Sequence, residues 1–503
     1  MMNSSANILT IDVGTTNLKC IIYDEKGRIR AQSSKSHPTN FSLPGYAEQN
    51  PAIWVSNLQN LLRTIGNKDP KIIKSIQGIS LTGQMHGPVF LNSKQEIAYP
   101  CMIWSDTRAH EEVHYLKNTF TSDSILKITG NPVQESFTLP KILWLKNQQS
   151  NLFPQVDKIV FPKDYLGFLL TGNIYTDHSD ASGSLLYNLS NHNWSEEIIN
   201  NCALKRSLFP DIIQSDDILG RISYAAAKQF GISEGIPVIK GGGDLATTAL
   251  ANGTDQIESL SLCIGTAAQM LMSFESIEEK LLGRLYFFSH CIPQSYFCLG
   301  TVPTGGSSIQ WFKNLFELED KEFILKELNT IEDENTERNI LFFPYLMGTG
   351  TPHFDYRAHG AFLGLQINHK RKDLIYSIIE GIIFALKDSF ASISKPQIRK
   401  IFLSGGATRF PIWPKLVSAI FNLPVFVFQN ADSSTIGAFL LGAKRLGIIK
   451  DFDTIINGLI PEDPFLPQIK YTQIYEKKFK KYRHFSNFIR EYSTYDKDFL
   501  EYI

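Results

Sequence analysis

The chain has 503 residues, of which 43% are hydrophobic and 20% charged, and its formal net charge at pH 7 is −1. This length exceeds what one hydrophobic core usually supports, so two or more domains are expected. Because acidic and basic residues balance and the Lys and Arg residues are not clustered, no nucleic-acid partner is expected.

The first half opens with two β-rich segments joined by a Gly-Thr turn, in the sequence ILTIDVGTTNLKC at 8–20. Its Asp12 lies two residues before Gly14. Hydrophobic periodicity then predicts a strand, a helix, a strand and two further helical segments. These elements are expected at 29–34, 51–65, 75–84, 139–147 and 165–170.

The second half begins with a repeat of this outline, SLSLCIGTAAQM at 259–270. The backbone N–H groups and hydroxyls of such turns bind phosphate oxygens, so the pair predicts a duplicated fold that closes on a nucleoside triphosphate. A helix is expected over 373–390, with Asp373 as its N-cap. Strands alternate with helices in both halves, which predicts an α/β fold with a compact hinge near 250–258.

The triple glycine Gly241–Gly243 precedes Asp244 at the end of a short apolar strand. Glycines permit close approach of a ligand, and a carboxylate here can take a proton from a hydroxyl while phosphate arrives from the other side. The alternative is that Asp244 only caps the following helix. The sequence of this segment alone leaves both open.

Two more glycine-rich strand ends lead into helices. Gly405 and Gly406 lie in SGGAT, and Gly306 and Gln310 lie in TVPTGGSSIQWF. The N-terminus of a helix attracts phosphate, so these four residues are candidate nucleotide contacts. Each signal is weak by itself.

The segment GQMHG at 83–87 places Gln84, Met85 and His86 at a strand end between two glycines. A single histidine is more often a hydrogen-bonded structural residue than a ligand contact. The flanking glycines nevertheless favour a binding pocket.

The segment WSDTR follows about twenty residues later and contains Trp104, Asp106 and Arg108. An aromatic face beside a carboxylate and a guanidinium suits a ligand with many hydroxyl groups. Asp106 and Arg108 can equally form a structural ion pair.

The six cysteines lack the Cys-x-x-Cys spacing of zinc sites, and those in apolar runs indicate a reducing compartment. The segment MMNSSAN has no basic region typical of a signal peptide, and no run approaches the roughly 18 apolar residues that span a bilayer. We therefore expect a cytoplasmic protein without a membrane partner. The basic stretch at 477–483 is expected to be the solvated face of a terminal helix.

Taken in order, these motifs resemble the FGGY carbohydrate kinases of the actin–hexokinase–Hsp70 superfamily from about residue 8 to about residue 447. The matching segments include IDVGTTNLK, PGYAEQNPAIW, GQMHG, WSDTR, PKDYL, SDASGSLLYNL, GGGD, IGTA, FFPYLMGTGTPH, GAFLGL, SGGAT and STIGAFLLGA. The resemblance implies two actin/hexokinase-like (ribonuclease H-like) domains around a cleft. We expect a sugar-binding domain at 1–250, a nucleotide-binding domain at 251–447 and a helical extension at 448–503.

The resemblance also implies a role for each candidate residue, with ATP and Mg²⁺ as cofactors and a sugar as the substrate. Asp244 would be the general base, and Asp12 would help to hold Mg²⁺. The sugar would be bound by Gln84, Met85, His86, Trp104, Asp106 and Asp244. ATP would be bound by Gly14, Thr15, Thr16, Gly265, Thr266, Gly306, Gln310, Gly405 and Gly406.

Within the family, GQMHG and TGNPVQESFTLPKILWLK at 129–146 are most similar to the xylulokinases. The acceptor implied is a ketose, with D-xylulose phosphorylated at O5 as the first expectation. Sedoheptulose, ribulose, a polyol or an aldonate is the alternative within the kinases. Outside that class the alternatives are a non-catalytic sugar sensor and an actin-like or Hsp70-like ATPase. Sugar-dependent release of ADP would distinguish a kinase from these, and a homodimer is left open.

Several residues depart from the family pattern. Leu245 stands where xylulokinases usually have Asn after the catalytic Asp, and GTGTP at 348–352 replaces Gly-Glu-Arg-Thr-Pro. His359 replaces a common Arg, and IGTAAQM replaces the usual LGTSG. None of these changes removes the expected base or metal carboxylate, so they bear on the identity of the sugar and on turnover.

Overall fold

The computed structural model describes residues 6–253, 258–319, 323–328, 339–393, 397–428, 432–459 and 463–500. The strands of the first half are β1 (Asn7–Val13), β2 (Asn17–Tyr23), β3 (Ile29–Ser36), β4 (Glu48–Gln49), β5 (Ile76–Gly83), β6 (Val89–Asn92), β7 (Ile97–Tyr99), β8 (Cys101–Met102), β9 (Val156–Val160), β10 (Tyr175–Asp177), β11 (Tyr187–Asn188), β12 (Asn193–Trp194), β13 (Asp211–Ile213), β14 (Ile218–Arg221) and β15 (Pro237–Gly243). Its α-helices are α1 (Pro51–Lys68), α2 (Pro70–Lys74), α3 (His110–Thr119), α4 (Ser122–Thr129), α5 (Thr138–Gln148), α6 (Pro162–Thr171), α7 (His178–Ser182), α8 (Glu196–Asn201), α9 (Tyr224–Phe230) and α10 (Asp244–Ala251).

The second half has fewer and longer elements. Its strands are β16 (Ser259–Ile264), β17 (Ala268–Phe274), β18 (Tyr286–Ser289), β19 (Tyr296–Val302), β20 (Leu341–Phe343), β21 (Ala361–Leu363), β22 (Lys400–Ser404) and β23 (Val425–Val427). Its α-helices are α11 (Gly306–Leu315), α12 (Arg371–Ala391), α13 (Ile412–Phe421), α14 (Ser433–Arg445), α15 (Asp453–Leu459) and α16 (Ile469–Leu500). A π-helical turn covers Phe323–Leu328.

Each half is built on one six-stranded sheet. In the first sheet the order is β14-β15-β5-β1-β2-β3, and in the second it is β18-β19-β17-β16-β22-β23. In both, the strand before the Gly-Thr turn pairs antiparallel with the strand after it and parallel with a later strand of the same half. The α/β duplication expected from the repeated turn is therefore confirmed.

Local sequence explains where the helices of the first half begin. The Asn50 side chain accepts the Ala52 N–H at 3.0 Å, and Pro51 occupies the first helical position of α1. Trp54 and Leu58, one turn apart, bury the apolar face of this helix against the first sheet. The predicted helix over 51–65 is thus α1, extended to Lys68.

The expected N-cap of the long helix α12 was wrong. This helix begins at Arg371, so Lys370 is the N-cap, and Asp373 lies one turn inside. The Asp373 carboxylate accepts the Lys370 N–H at 2.8 Å. Asp373 therefore stabilises the helix start from the third helical position, as an acidic residue in a first turn does.

Helix α14 joins the two halves. It belongs to the second half but packs on α10 and on β1, β5 and β15 of the first. A Cβ atom at Gly437 would lie 1.9 Å from the carbonyl oxygen of Thr247, so the two helices cross at a distance that only glycine allows. The first sheet ends at Gly243 and the second begins at Ser259, and the exact domain limits stay a prediction.

The basic stretch near the C-terminus is only partly a solvated face. It lies in α16, where Phe479 and Tyr482 are buried against the second half and Lys478 forms a buried ion pair with Glu380 at 2.5 Å. Lys477, like its basic neighbours at 480 and 481, is exposed as expected. In the part of the chain that the structure describes, the helices are too short or too polar to cross a lipid bilayer.

Candidate active site

Three neighbouring parallel strands end at one edge of the first sheet. In the ladder β15-β5-β1, Asp12 is opposite Thr82, and Gly83 is opposite both Val13 and Gly243. The residues that follow these strand ends therefore emerge side by side. This register brings together the first Gly-Thr turn, the GQMHG segment and Asp244, although the three segments are about 70 to 230 positions apart in the sequence.

Asp244 begins helix α10 but does not cap it. Gly243 holds the N-cap position, and Asp244 Oδ1 accepts the N–H of the next residue, Leu245, at 2.8 Å. Burial, with a smaller contribution from the nearby Asp12 carboxylate, raises the pKa of Asp244 to about 7. A carboxyl group with this pKa can exchange a proton near neutral pH. This hydrogen bond comes from the backbone of Leu245. It is therefore kept although Leu stands at this position in place of the Asn that is usual in similar sequences.

Asp12 is a buried carboxylate with one oxygen free for a ligand. Its Oδ2 accepts a hydrogen bond from Ser434 of α14 at 2.9 Å, whereas its Oδ1 is buried and has no partner among the described residues. Burial raises the pKa of Asp12, and Lys19 partly offsets this effect. A buried oxygen without a partner, on a carboxylate beside the first Gly-Thr turn, suits a hard cation such as Mg²⁺.

The first Gly-Thr turn is held by residues from distant segments. The Gly14 N–H donates to the Asn17 carbonyl at 3.1 Å, which closes the turn. The Trp104 indole N–H donates to Thr15 Oγ1 at 2.9 Å, and the Gln49 amide donates to the Thr15 carbonyl at 2.7 Å. Thr16 is exposed at the tip. The structure therefore places Trp104 against the first Gly-Thr turn.

Gln84 also has an unused polar atom. It is 1% exposed, and its amide donates to Gln49 Oε1 at 2.9 Å, while its own Oε1 has no partner among the described residues. The neighbouring Met85 is 2% exposed, and its side chain lies against Gly183 and Gly243, where any Cβ would clash with it. The GQMHG segment thus packs against the end of β15, immediately before Asp244.

His86 is held in one tautomer by its surroundings. Its Nδ1 lies 2.6 Å from the Gly183 carbonyl, which can only accept, so Nδ1 carries the proton. Burial lowers the pKa of His86 to about 4, so the ring is neutral at pH 7 and Nε2 is an acceptor. Phe137 and Phe288 pack on the imidazole with ring centroids at 5.0 and 6.0 Å. The ring can therefore accept a hydrogen bond from a ligand hydroxyl.

Asp106 does not face a ligand cavity. It is fully buried, and its carboxylate is paired with Arg108 at 2.6 Å and accepts the Ala47 N–H at 2.6 Å. Arg108 also binds Glu48 at 2.7 Å. Both oxygens of Asp106 are engaged, so the structure supports the ion-pair alternative and gives no direct sugar contact for this residue.

The second Gly-Thr turn meets two other glycine loops of the second half. The Gly306 N–H donates to the Gly265 carbonyl at 2.7 Å, and Ser307 donates to the Thr266 carbonyl at 3.0 Å. Gly405 has a φ of +93°, and a Cβ there would lie 2.5 Å from the Ile264 carbonyl. These glycines allow the loops to pack backbone on backbone.

The last two nucleotide candidates lie at the border of this loop cluster. Gly406 has open space where its Cβ would be. Gln310 is exposed on α11, one turn after Gly306, and its amide donates to Asn314 at 2.8 Å. Because residues four apart share one face of a helix, Gln310 and Gly306 face the same side.

Three site residues were not singled out from the sequence. Ser434 binds Asp12, Gln49 joins Gln84 to the phosphate turn, and Phe288 reaches His86 from the second half. Each acts across a long sequence separation. Gln49 and Ser434 do lie within the matching segments PGYAEQNPAIW and STIGAFLLGA, which was the one available signal.

Known proteins resemble this chain over nearly its full length. Models of the N-terminal and C-terminal domains of the FGGY family of carbohydrate kinases match residues 7–251 and 260–446. The xylulose kinase of Lactococcus lactis subsp. lactis is 32% identical over 480 residues, which cover 93% of this chain and 95% of that protein.

Two solved structures from Lactobacillus acidophilus are each 27% identical to the chain. One is a ligand-bound xylulose kinase with a TM-score of 0.87, covering 96% of this chain and 98% of that one. The other is a gluconate kinase with a TM-score of 0.88, and the match covers 97% of this chain and 98% of that one. The two domain matches cover the strand ends that form the site. Together with these similarities, they show that the chain belongs to the FGGY family of carbohydrate kinases.

Proposed function

We propose that this protein transfers the γ-phosphoryl group of ATP to O5 of D-xylulose, with Asp244 as the general base. The observation that carries the proposal is the arrangement at the joined ends of β1, β5 and β15. There, a carboxyl group with a pKa of about 7 lies near a second carboxylate with a free oxygen, and the GQMHG segment supplies a histidine whose Nε2 is an acceptor. The similarity to a xylulose kinase at 32% identity supports a ketose as the acceptor.

Asp244 would accept the proton of the sugar hydroxyl as the new P–O bond forms. Its raised pKa makes the carboxylate a better base at neutral pH than an ordinary aspartate. The Leu245 N–H holds one oxygen at 2.8 Å, which orients the carboxylate. Phosphoryl transfer needs little covalent chemistry from the protein, so positioning the hydroxyl is its main task.

The two Gly-Thr turns would hold the phosphates. Gly14 and Gly265 would let the phosphates approach the turns closely, since their own N–H groups close the turns. Thr15 and Thr16 would offer N–H groups and hydroxyls from the first half, and Thr266 would offer the same groups from the second. Asp12, through its free Oδ1, would hold Mg²⁺ directly or through water. Mg²⁺, when bound, would offset the negative charge of the phosphates. The loop cluster with Gly306, Gln310, Gly405 and Gly406 would border the remainder of the nucleotide.

His86 and Gln84 would select the sugar. Both present acceptor atoms, His86 Nε2 and Gln84 Oε1, so both pair with hydroxyl groups and not with a carboxylate. A lone pair facing a carboxylate would repel it. This favours a ketose over an aldonate such as gluconate, which the fold by itself does not separate, since the TM-scores to both kinases are nearly equal.

A kinase assay over a panel of acceptors tests the proposal. ADP release would be measured with D-xylulose, D-ribulose, sedoheptulose, glycerol and gluconate. We expect the highest kcat/KM with D-xylulose and no ADP release without sugar. A higher kcat/KM with glycerol or gluconate would reject the ketose assignment, and ADP release that does not depend on sugar would reject a kinase of this type.

Replacing His86 by Ala should raise KM for D-xylulose about 10-fold or more and leave KM for ATP nearly unchanged. The substitution leaves one sugar hydroxyl without its acceptor in a desolvated pocket. Steady-state kinetics with each substrate varied in turn would measure both constants. His110→Ala, at an exposed histidine, is the matched control and should change neither. An equal change in both KM values for His86→Ala would contradict its assignment to the sugar pocket.

A further inference from the structure

A buried set of charges lies against β15, the strand that ends at Gly243 immediately before Asp244. Lys163 of α6 contacts Asp177 at 2.6 Å, Asp164 at 2.7 Å and Asp180 at 3.0 Å, and all four side chains are 0 to 2% exposed. Lys240, also buried, is the second ammonium group and pairs with Asp164. The three carboxylates could hold a metal ion by their spacing, but the Lys163 ammonium already contacts all of them. The set is therefore an internal ion-pair network.

Asp177 is the member of this network that accepts the most hydrogen bonds. Its Oδ1 faces Lys163, and its Oδ2 accepts from the Ser179 N–H at 2.9 Å, the Ser179 hydroxyl and the Ser215 hydroxyl at 2.8 Å. Although burial alone would raise the pKa of Asp177, Lys163 and Lys240 lower it, so this carboxylate stays charged. Both serine hydroxyls therefore have a fixed direction, because each proton points at Asp177.

Both serines contact β15, but in different ways: Ser215 through its backbone carbonyl, which accepts the Gly241 N–H at 2.8 Å, and Ser179 through its hydroxyl. With its proton committed to Asp177, the Ser179 oxygen accepts the backbone N–H of Gly243 at 2.9 Å. Gly243 immediately precedes Asp244 and has no side chain that could hold its position. The strand is irregular just before this point, where Gly241 has a φ of +67° and the pairing with β5 shifts register. The bond from Ser179 is thus a direct link between the ion-pair network and the residue before Asp244.

We propose that Ser179 is a positioning residue that holds Asp244 in place for proton transfer, by tying the Gly243 backbone to the Lys163–Asp177 ion pair. The inference rests on the proposed function, in which Asp244 is the base. A shift of about 1 Å at a reacting group can cost up to about 100-fold in rate, so a lost anchor one residue away should be visible in kcat. Ser215 provides the matched comparison, since its hydroxyl donates to the same oxygen of Asp177, while its contact with the strand is made by its backbone carbonyl and is kept in Ser215→Ala.

The test compares Ser179→Ala with Ser215→Ala in the full-length protein, using D-xylulose and ATP, or the best acceptor of the panel if D-xylulose is inactive. Both variants lose one donor to Asp177, and Ser179→Ala also leaves the buried Gly243 N–H without its acceptor, so both should melt at a lower temperature, Ser179→Ala at the lower of the two. We expect kcat to fall about 10-fold or more for Ser179→Ala and less than about 2-fold for Ser215→Ala, with KM for ATP unchanged in both. Equal losses of kcat would overturn the inference. If Ser179→Ala does not fold, Ser179→Cys and Ser215→Cys are compared by the same criteria.

A second comparison separates this inference from the proposed function. Ser179→Ala is combined with Asp244→Asn, and the residual rates are measured in single-turnover experiments. If Ser179 acts through Asp244, its substitution should have little further effect once the carboxylate is gone. A full additional loss in the double variant would overturn the positioning role. Wild-type activity in Asp244→Asn alone would instead reject the base, and with it the proposed function.

Discussion

Asp244→Asn is expected to lower kcat by about 100-fold to 10,000-fold, the usual cost of removing a general base. The substitution keeps the shape of the side chain, and the Oδ1 of an Asn can still accept the Leu245 N–H. It therefore separates proton transfer from a purely structural role. Initial rates of ADP release would measure kcat, and calorimetric titration with ATP should show unchanged nucleotide affinity. Retention of more than about half of the wild-type kcat would exclude Asp244 as the base.

The pH dependence of the wild-type enzyme should report the same group. The base must be deprotonated to act, and the pKa of Asp244 is raised to about 7, so kcat/KM should rise with pH up to about 7 and level off above it. Measuring kcat/KM for the sugar between pH 5.5 and about 8.5 would test this. The residual activity of Asp244→Asn should not show this rise of kcat/KM with pH. A flat profile in the wild-type enzyme would argue against a base with this pKa.

Asp12→Ala is expected to raise the Mg²⁺ concentration needed for half-maximal rate by at least about 10-fold, with a much smaller change in KM for the sugar. The reason is that Asp12 Oδ1 is a buried acceptor without a partner among the described residues, beside the first phosphate turn. Titration of the rate against Mg²⁺ in both proteins measures the effect. An unchanged Mg²⁺ dependence would remove Asp12 from the metal site.

Ser434→Ala is the control for this experiment. Ser434 donates to the other oxygen, Oδ2, at 2.9 Å, so its loss changes the support of Asp12 but leaves the carboxylate in place. We expect a shift in Mg²⁺ dependence well below that of Asp12→Ala. If both variants shifted the Mg²⁺ dependence equally, the hydrogen bond between Ser434 and Asp12, and not metal binding by Asp12, would determine how much Mg²⁺ the enzyme needs.

The sequence by itself determined the features that depend on local chemistry. The two Gly-Thr turns, at 14–16 and 265–266, lie between paired strands because alternating apolar residues and a glycine specify a strand, a tight turn and a second strand. The helix over 373–390 was evident from its apolar face, and the order of the motifs indicated the family. The prediction of Asp373 as the N-cap of this helix was wrong, since the side chain of Asp373 reaches back three residues to the N–H of Lys370.

Tertiary structure alone decided how distant residues meet. The parallel register of β1, β5 and β15 brings Asp12 and Asp244 to one edge, and no local pattern contains that register. Burial decided that Asp106 is paired with Arg108 and that the pKa of Asp244 is near 7, because both depend on what surrounds a carboxylate in space. The link from Ser179 to Gly243 spans 64 positions of the sequence. Such contacts depend on long-range packing, whereas periodicity and turn residues describe only neighbours along the chain.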